Sequence, residues 1–302
     1  MLSVCIPVYN VFIYSLVNEL ASQIANGNLD VEILVFDDHS IVEFKSENRK
    51  VSELKCVNYL ELEQNIGRAA IRNKLVREAK GSAILFIDCD MRVVDNLFLK
   101  KYYELHEKKI VVVGGVSYTN KCPNPMHLLR WKYGVNREST PAFKRQCKPY
   151  SSFMTGNVMI PKLLLIESPF HSQIIGYGHE DTVFGFELMK MKYPIFHIDN
   201  PLQHDGLENS SEFLAKTKVG IDNLVLIWNR LGRSKDFTKM VKLLKAAVLL
   251  NNIKIGFIFS KFFLMFNGII EKNLYGRHPN LRLFDFYKLG LILQAIKKEK
   301  IE

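Results

Sequence analysis

The sequence lacks the features that mark metal-sulfur, secreted and repeat proteins. Its five cysteines among 302 residues are widely spaced and form no CxxC pair, which argues against a zinc or dithiol redox site. It contains no low-complexity stretch or internal repeat, which excludes a solenoid. The first residues run directly into a strand pattern without a basic leader or cleavage site. We therefore expect a reducing compartment rather than a secreted or Golgi-anchored form.

Long uninterrupted hydrophobic runs are also missing. The most apolar stretch, IGFIFSKFFLMFNGII at residues 255–270, is interrupted by Lys261, whereas a spanning helix needs about 20 mainly apolar residues. The pattern favours a helix at a membrane interface, with lysines reaching anionic headgroups and phenylalanines entering the acyl boundary. The alternative is a helical subdomain whose apolar residues pack on the protein core or on a second subunit.

Positive charge is concentrated near one end of the chain. Residues 1–209 hold 24 Lys+Arg and 24 Asp+Glu, whereas residues 210–302 hold 17 and 7, so the net charge of +10 lies in the last third. Such asymmetry indicates an acidic partner, either nucleic acid or an anionic membrane surface. Because the lysines of this region alternate with aliphatic and Phe-rich runs rather than polar, base-reading residues, we expect lipid or protein packing and no nucleic acid.

The first part of the chain alternates strand and helix patterns in the order βαββαβ. This order predicts an α/β fold with a mostly parallel sheet flanked by helices, in which ligands bind at the carboxyl ends of the strands. A helix near 95–107, one strand at 110–118 and a long polar connection at about 119–150 are expected to follow. The predicted strands are 3–9, 31–38, 56–62 and 82–88, and the predicted helices are 14–25 and 68–79.

Two aspartates, Asp88 and Asp90, follow the apolar strand SAILFI. Both carboxylates are expected at the same sheet edge, where they suit Mg²⁺ or Mn²⁺ bound together with phosphate oxygens. Two aspartates at this spacing can also simply cap a turn. The other motifs of the chain must therefore decide between these interpretations.

Five segments, taken in order, resemble the family 2 glycosyltransferases with the GT-A fold. They are SVCIPVYN, FDDHS, NIGRAAIRN, IDCDM and GYGHEDTVFGFEL, the last being similar to the galactosyltransferase-like second half of that fold. The resemblance implies a GT-A, Rossmann-like catalytic domain at 1–209, with a nucleotide-sugar-binding half at 1–118 and an acceptor and catalytic half at 119–209. A basic helical extension at 210–302 follows it.

The resemblance assigns the nucleotide pocket to the first two motifs. Pro7 and Tyr9 are expected to line it, and Asp37 and Asp38 to contact the base and ribose, with Asp38 at the base edge. Either aspartate can instead cap the next turn.

The donor's diphosphate and sugar are assigned to two glycine-containing segments. Gly67 is expected to let the backbone approach the ligand, and Arg68 and Arg72, four apart on one helical face, to meet the diphosphate. Arg72 can alternatively pair with a structural carboxylate. Gly156 and Asn157 resemble the loop along the donor sugar, where the amide would read hydroxyl groups, and an ordinary turn is the competing interpretation.

Metal binding and proton removal are assigned to acidic and histidine side chains. The resemblance implies that Asp90 is the principal metal ligand, with Asp88 at the metal or ribose and His204 as a third ligand. It also implies that Asp181 removes a proton from the acceptor hydroxyl, while Glu180 orients the acceptor or the base. The alternative is that both acids only cap the helix that follows them.

The sequence thus predicts an inverting, metal-dependent glycosyltransferase that uses Mn²⁺ or Mg²⁺. Its expected donor is a nucleotide-sugar, with a UDP-sugar favoured, and its expected acceptor is a glycan or lipid-linked hydroxyl in surface polysaccharide biosynthesis. We expect a cytoplasmic protein, peripheral on the inner face of the cell membrane. A sugar nucleotidyltransferase is a second interpretation, although SVCIPVYN lacks its glycine-rich phosphate loop. A basic nucleic-acid- or membrane-binding protein without transferase activity is a third.

Overall fold

The computed structural model describes residues 1–171 and 178–299, and these residues form two compact units. Residues 119–138, which we expected in the catalytic half, belong by their contacts to the second unit. The boundaries at 118 and 209 stay predictions. Within the described residues, the first unit comprises 1–118, 139–171 and 180–206, and the second comprises 119–138, 178–179 and 207–299.

The strands of the described residues all lie in the first unit. They are β1 (Leu2–Val8), β2 (Val31–Asp37), β3 (Val57–Glu61), β4 (Ala83–Ile87), β5 (Met91–Arg92), β6 (Val111–Val113), β7 (Val116–Ser117), β8 (Asn157–Pro161), β9 (Ile195–His197) and β10 (Leu202–His204). Among these, seven form a sheet in the order β3-β2-β1-β4-β8-β6-β9, in which β8 alone runs antiparallel to its neighbours. The other three form a small sheet in the order β5-β10-β7. The predicted mostly parallel sheet is confirmed.

Helices connect and cover these strands in the first unit and make up most of the second. They are α1 (Tyr14–Gly27), α2 (Val42–Asn48), α3 (Arg68–Glu78), α4 (Phe98–Tyr103), α5 (Leu128–Tyr133), α6 (Ala142–Gln146), α7 (Lys162–Glu167), α8 (Glu180–Met191), α9 (Ser210–Arg230), α10 (Lys235–Met240), α11 (Lys242–Asn252), α12 (Gly256–Tyr275) and α13 (Leu281–Lys298). The stretch predicted as a polar connection at 119–150 therefore contains α5 and α6.

The large sheet is buried on both faces because its strands are continuous apolar runs rather than alternating ones. Val4 and Ile6 of β1 pack with α1 in one apolar cluster. Cys5 between them points to the opposite face, where it joins a second cluster with α3 and α8. This two-layer burial fixes the register of the strands and holds their carboxyl ends at one edge.

The strand predicted at 110–118 is in fact two strands in different sheets, separated by a glycine pair. Gly115 adopts φ +90°, a left-handed conformation that disfavours other residues. A Cβ atom on Gly114 would lie 2.2 Å from the Tyr102 hydroxyl and 2.6 Å from the Asn200 carbonyl oxygen. The two glycines therefore let the chain turn away from β6 through a crowded point.

The second unit is an all-helical body, as expected for a basic helical C-terminal region. Its apolar cluster includes Leu214 of α9, Phe263 and Leu274 of α12, and Phe284 of α13. Among the described helices, none alone has the length and apolar character for a membrane span. The pair 242–252 and 256–274 meets those criteria only when taken together, and it is bent by 115°.

A glycine substitution tests the close packing of α12 on α13. A Cβ atom on Gly290 would lie 2.2 Å from Cγ of Phe263. We expect Gly290→Ala to lower the free energy of unfolding by about 1–3 kcal/mol, measured by urea denaturation of the full chain. The matched control Gly268→Ala, on α12 with no atom within 4 Å, should be neutral or stabilising by up to about 1 kcal/mol. Equal effects of the two substitutions would contradict this packing.

Candidate functional site

The candidate site lies at the carboxyl ends of β1, β2 and β4. Parallel pairing places Pro7 beside Phe36 and Val8 beside Asp37, so the first two motifs meet at one edge. Pro7 is half-buried in this edge, and Tyr9 beyond it is 53% exposed. Such an edge is where α/β folds bind ligands.

Asp37 and Asp38 are buried and already hydrogen-bonded to the backbone. The Ser40 amide donates to Asp37 at 2.6 Å, and the amides of Ile66 and Gly67 donate to Asp38 at 2.7 and 2.9 Å. Burial raises the pKa of Asp38, and the two amide hydrogen bonds oppose that rise. The turn-capping alternative is thus observed for Asp37, and Asp38 fixes the loop before α3. Their contact with base and ribose stays a prediction.

Gly67 begins the turn into α3 in a conformation that only glycine adopts readily. Its φ is +82°, and an added Cβ atom would meet nothing within 4 Å. The glycine is therefore required by backbone conformation and not by a neighbouring atom. The approach of a ligand to this turn stays a prediction.

Arg72 is the buried centre of a charged cluster. Its side chain is 3% exposed, its Nη2 atom lies 2.8 Å from Asp88 Oδ1, and its Nη1 atom lies 3.8 Å from Glu180 Oε1. Arg68 Nη1 lies 3.7 Å from the same glutamate oxygen and its side chain is 56% exposed. The alternative interpretation of Arg72, pairing with a carboxylate, is therefore observed. The cluster joins the IDCDM segment to the first turn of α8.

Asp181 lies next to this cluster at the start of α8. The Thr182 amide donates to it at 2.7 Å. Burial, and then the neighbouring negative charge of Glu180, raise the pKa of Asp181 to about 6. A carboxylate with such a pKa can accept a proton near neutral pH. Gly176 and Tyr177, the first residues of GYGHED, lie outside the described residues.

Asp90 and His204 lie close together because Met91, the residue after Asp90, pairs with His204 in the small sheet. The distance from Asp90 Oδ2 to His204 Nε2 is 3.5 Å. The ring of Tyr118 stacks on the His204 ring, with 5.6 Å between the two ring centroids. The backbone carbonyl of Asp90 accepts hydrogen bonds from the amides of Asp205 and Gly206. A Cβ atom on Gly206 would lie 2.5 Å from Asp90 Cβ. No sequence motif marked Tyr118, whereas Gly206 is recognisable in the sequence as the glycine of PLQHDG beside the histidine.

The predicted metal ligands come together only in part. Asp90 and His204 are close enough to reach one cation, and the buried Nδ1 atom of His204 has no hydrogen-bond partner. Asp88 instead directs Oδ1 to Arg72. In the ranges that the structure describes, no three or more His, Cys, Asp or Glu side chains are grouped as metal ligands. A carboxylate and an imidazole fit a divalent cation that takes its remaining ligands from phosphate or water.

Asn157 does not point toward the donor side of the site, contrary to our expectation. It is 1% exposed, its Oδ1 accepts from the Tyr102 hydroxyl at 2.7 Å, and its Nδ2 donates to the carbonyls of Gly115 and Asn200. Because both amide hydrogens are used inside the protein, we no longer expect Asn157 to read sugar hydroxyls. Its contacts hold β8 to the glycine turn after β6.

Gly156 contacts the IDCDM segment directly. A Cβ atom at this position would lie 2.8 Å from Asp88 Oδ2 and 3.2 Å from Met91 Cε. Its carbonyl also accepts a hydrogen bond from the Asp88 amide at 3.2 Å. Glycine therefore allows β8 to approach Asp88, whereas contact with the donor sugar stays a prediction.

Another buried arginine, Arg145, holds together the backbone that follows β6 and β9. It donates to the backbone carbonyls of Val113, Gly114 and Ile198, and its Nη1 lies 2.8 Å from His197 Nδ1. Burial lowers the pKa of His197 to about 4, so this histidine is neutral and structural. Arg145 gave no sequence signal because it lies in the stretch that we predicted as a connection.

Comparison with known proteins agrees with this architecture. The sequence profile of glycosyl transferase family 2 matches residues 3–162. The structure of a mannosyltransferase from Pyrobaculum calidifontis, in complex with GDP-Man and Mn²⁺, is similar with a TM-score of 0.58 at 15% identity, over 99% of this chain and 86% of that one. The structure of glucosyl-3-phosphoglycerate synthase from Mycobacterium tuberculosis, in complex with Mn²⁺, UDP and phosphoglyceric acid, is similar with a TM-score of 0.50 at 18% identity. The similarity covers 74% of this chain and 77% of that one. Among curated proteins, no sequence matches the chain.

An isosteric substitution separates the structural role of Asn157 from a donor contact. Asn157→Asp replaces two amide hydrogens with a carboxylate oxygen that faces two carbonyl oxygens. We expect it to lower the free energy of unfolding by about 3 kcal/mol, measured by urea denaturation. The control Asn58→Asp, on an exposed position of β3, should change it by less than about 0.5 kcal/mol. Unchanged stability together with weaker donor binding would restore Asn157 to the donor site.

Proposed function

The chain belongs to glycosyl transferase family 2, and on that premise we propose that it transfers a sugar from a nucleotide-sugar to an acceptor hydroxyl with inversion at the anomeric carbon. The observation that carries the proposal is the charged cluster of Asp88, Arg72 and Glu180, which joins the IDCDM segment to Asp181. It brings the acidic IDCDM segment and Asp181, a carboxylate with a raised pKa, to one edge of the sheet. Inversion by direct displacement needs these groups and no covalent intermediate.

The donor in this proposal is a nucleoside diphosphate sugar, with a UDP-sugar favoured. Pro7 and Tyr9 line the base, and Arg68 turns its exposed guanidinium to the diphosphate while Arg72 stays in its ion pair. The mannosyltransferase structure contains GDP-Man and the glucosyl-3-phosphoglycerate synthase structure contains UDP, which supports this class of donor. A guanidinium group suits a diphosphate because it donates two parallel hydrogen bonds.

A divalent cation, Mn²⁺ or Mg²⁺, belongs to this proposal. Asp90 and His204 would hold it, with Asp88 beside them at the ribose or the metal. When bound, the cation neutralises the diphosphate leaving group. The mannosyltransferase and the glucosyl-3-phosphoglycerate synthase structures each contain Mn²⁺, and the 3.5 Å separation of the Asp90 and His204 side chains supports joint coordination.

Asp181 is the general base of this proposal. In its ionised form it takes the proton of the acceptor hydroxyl as the oxygen attacks the anomeric carbon. Glu180 Oε1 lies 3.7 Å from Arg68 Nη1 and 3.8 Å from Arg72 Nη1, and the negative charge of this glutamate raises the pKa of the neighbouring Asp181. The pKa of about 6 then sets the acidic limit of activity.

The acceptor in this proposal is a glycan or a lipid-linked sugar of surface polysaccharide biosynthesis. The enzyme works as a peripheral protein at the cytoplasmic face of the cell membrane. The support is the basic excess of residues 210–302, with 17 Lys+Arg against 7 Asp+Glu. Such an excess attracts anionic headgroups over about a Debye length.

Substitution of the proposed base tests the function. Asp181→Asn should lower transfer of radiolabelled sugar from UDP-sugars to a panel of glycan and lipid-linked acceptors by about 10²–10⁴-fold. It should leave donor binding, measured by thermal shift, unchanged. Because the base must be ionised, wild-type kcat/KM should rise about tenfold per pH unit up to about pH 6 and then level off.

The matched control for this experiment is Asp222→Asn, which makes the same change at an exposed position of α9. It should transfer sugar at the wild-type rate. Full activity of Asp181→Asn, or a wild-type pH profile that stays flat from pH 5 to pH 8, would remove Asp181 as the base.

A further inference from the structure

The outer face of α12 is an apolar stripe open to solvent. Ile258, Phe262, Met265 and Ile269 recur at intervals of three or four residues and lie on one side of the helix. They are 54%, 51%, 65% and 68% exposed. Single exposed apolar residues are ordinary, but a continuous stripe of large ones marks an interaction surface.

The inner face of α12 is occupied by protein. Phe263, Ile270 and Leu274 are buried in the apolar cluster of the second unit. Phe263 also packs directly against Gly290 of α13. A helix held in this way cannot turn its whole circumference to lipid, and the 115° bend from α11 prevents the two helices from forming one straight span. Only the outer face is offered to a partner.

The charge around this face is almost entirely positive. Lys245, Lys254 and Lys261 are exposed on or beside the two helices, and α11 and α12 together contain one acid, Glu271. That glutamate accepts a hydrogen bond from the Tyr287 hydroxyl at 3.2 Å. A second copy of the chain on this face would bring like charges together, whereas anionic headgroups would complement them.

Lys261 shows how charge and apolar surface are combined. Its ammonium nitrogen lies 4.6 Å from the centroid of the Phe257 ring. The charged group therefore lies over an aromatic ring that is itself 56% exposed. Long lysine side chains of this kind suit the boundary between acyl chains and headgroups.

From these features we infer that α12 lies in the plane of one leaflet of an anionic membrane, with its outer face in the acyl boundary and its lysines at the headgroups. The inference rests on the proposed membrane location of the enzyme and deepens it by naming the surface and the mode of binding. It does not depend on the transfer chemistry. Insertion to one side of the bilayer leaves the packing of α12 on α13 intact.

Vesicle flotation of the full chain tests this inference. Wild-type protein should float with vesicles of phosphatidylcholine and phosphatidylglycerol, bind more weakly as salt rises, and leave the vesicles in alkaline carbonate. Met265→Glu/Ile269→Glu should reduce binding by at least about tenfold, since two charges enter the acyl boundary. Lys254→Gln/Lys261→Gln should reduce it by roughly fivefold for each lysine on anionic vesicles only.

Matched controls make the same chemical changes elsewhere on the chain. Leu163→Glu/Ile166→Glu replaces two apolar residues of α7 that are 67% and 58% exposed, and Lys55→Gln/Lys100→Gln removes two exposed lysines of the first unit. Both should float like the wild type. Failure of the wild type to float, or undiminished flotation of Met265→Glu/Ile269→Glu, would overturn the inference.

Two further outcomes would identify another occupant or mode. A wild-type dimer that Met265→Glu/Ile269→Glu converts to a monomer in sedimentation without vesicles would make this face a subunit interface. Binding that resists salt and carbonate would indicate a span. Donor binding without vesicles should be equal in all variants. A chain that floats but transfers no sugar would contradict the proposed function and leave this surface standing.

Discussion

The buried pairing of Arg72 with Asp88 is the interaction on which the site depends. An arginine with 3% of its side chain exposed has to be neutralised, and Asp88 at 2.8 Å and Glu180 at 3.8 Å do so from two elements far apart in sequence. Removing either partner of such a pair leaves a charge without compensation in a buried place. The pairing therefore holds the end of β4, the face of α3 and the start of α8 in one arrangement. Beside it, burial and the charge of Glu180 raise the pKa of Asp181, while Arg72 opposes that rise.

The division of labour among the acids follows from this arrangement. Asp88 is committed to Arg72, while Asp90, two residues later, turns to His204 on β10. Because Gly156 and Gly206 lack side chains, β8 and the end of β10 approach these two carboxylates closely. The two carboxylates of the IDCDM segment thus have different partners, Arg72 for Asp88 and His204 for Asp90. This explains why a short acidic motif needs glycines from distant parts of the chain.

Local patterns predicted the fold because each strand and helix carries its own periodicity. The order from β1 to β4, the edge that collects Asp37 and Asp88, and the helical texture after residue 210 were all visible in the sequence. Contacts between residues far apart in sequence determine the features that the local patterns did not predict. The sequence predicted that the Asn157 amide contacts the donor sugar, but its hydrogen-bonding groups are used by the Tyr102 hydroxyl and by the carbonyls of Gly115 and Asn200. The break between β6 and β7 also depends on tertiary contacts, because Gly114 packs closely against Tyr102, Asn157 and Asn200.

We propose that Asp90 and His204 hold the cation through which a nucleotide-sugar binds, and thermal unfolding with a panel of UDP- and GDP-sugars tests this role most directly. For one donor, wild-type protein in Mn²⁺ should be stabilised by about 2.7 kcal/mol at 100 times its Kd. The stabilisation should vanish when EDTA replaces Mn²⁺ and in Asp90→Asn, while Asp222→Asn retains it. Equal stabilisation by that donor without Mn²⁺, or in Asp90→Asn, would contradict the account.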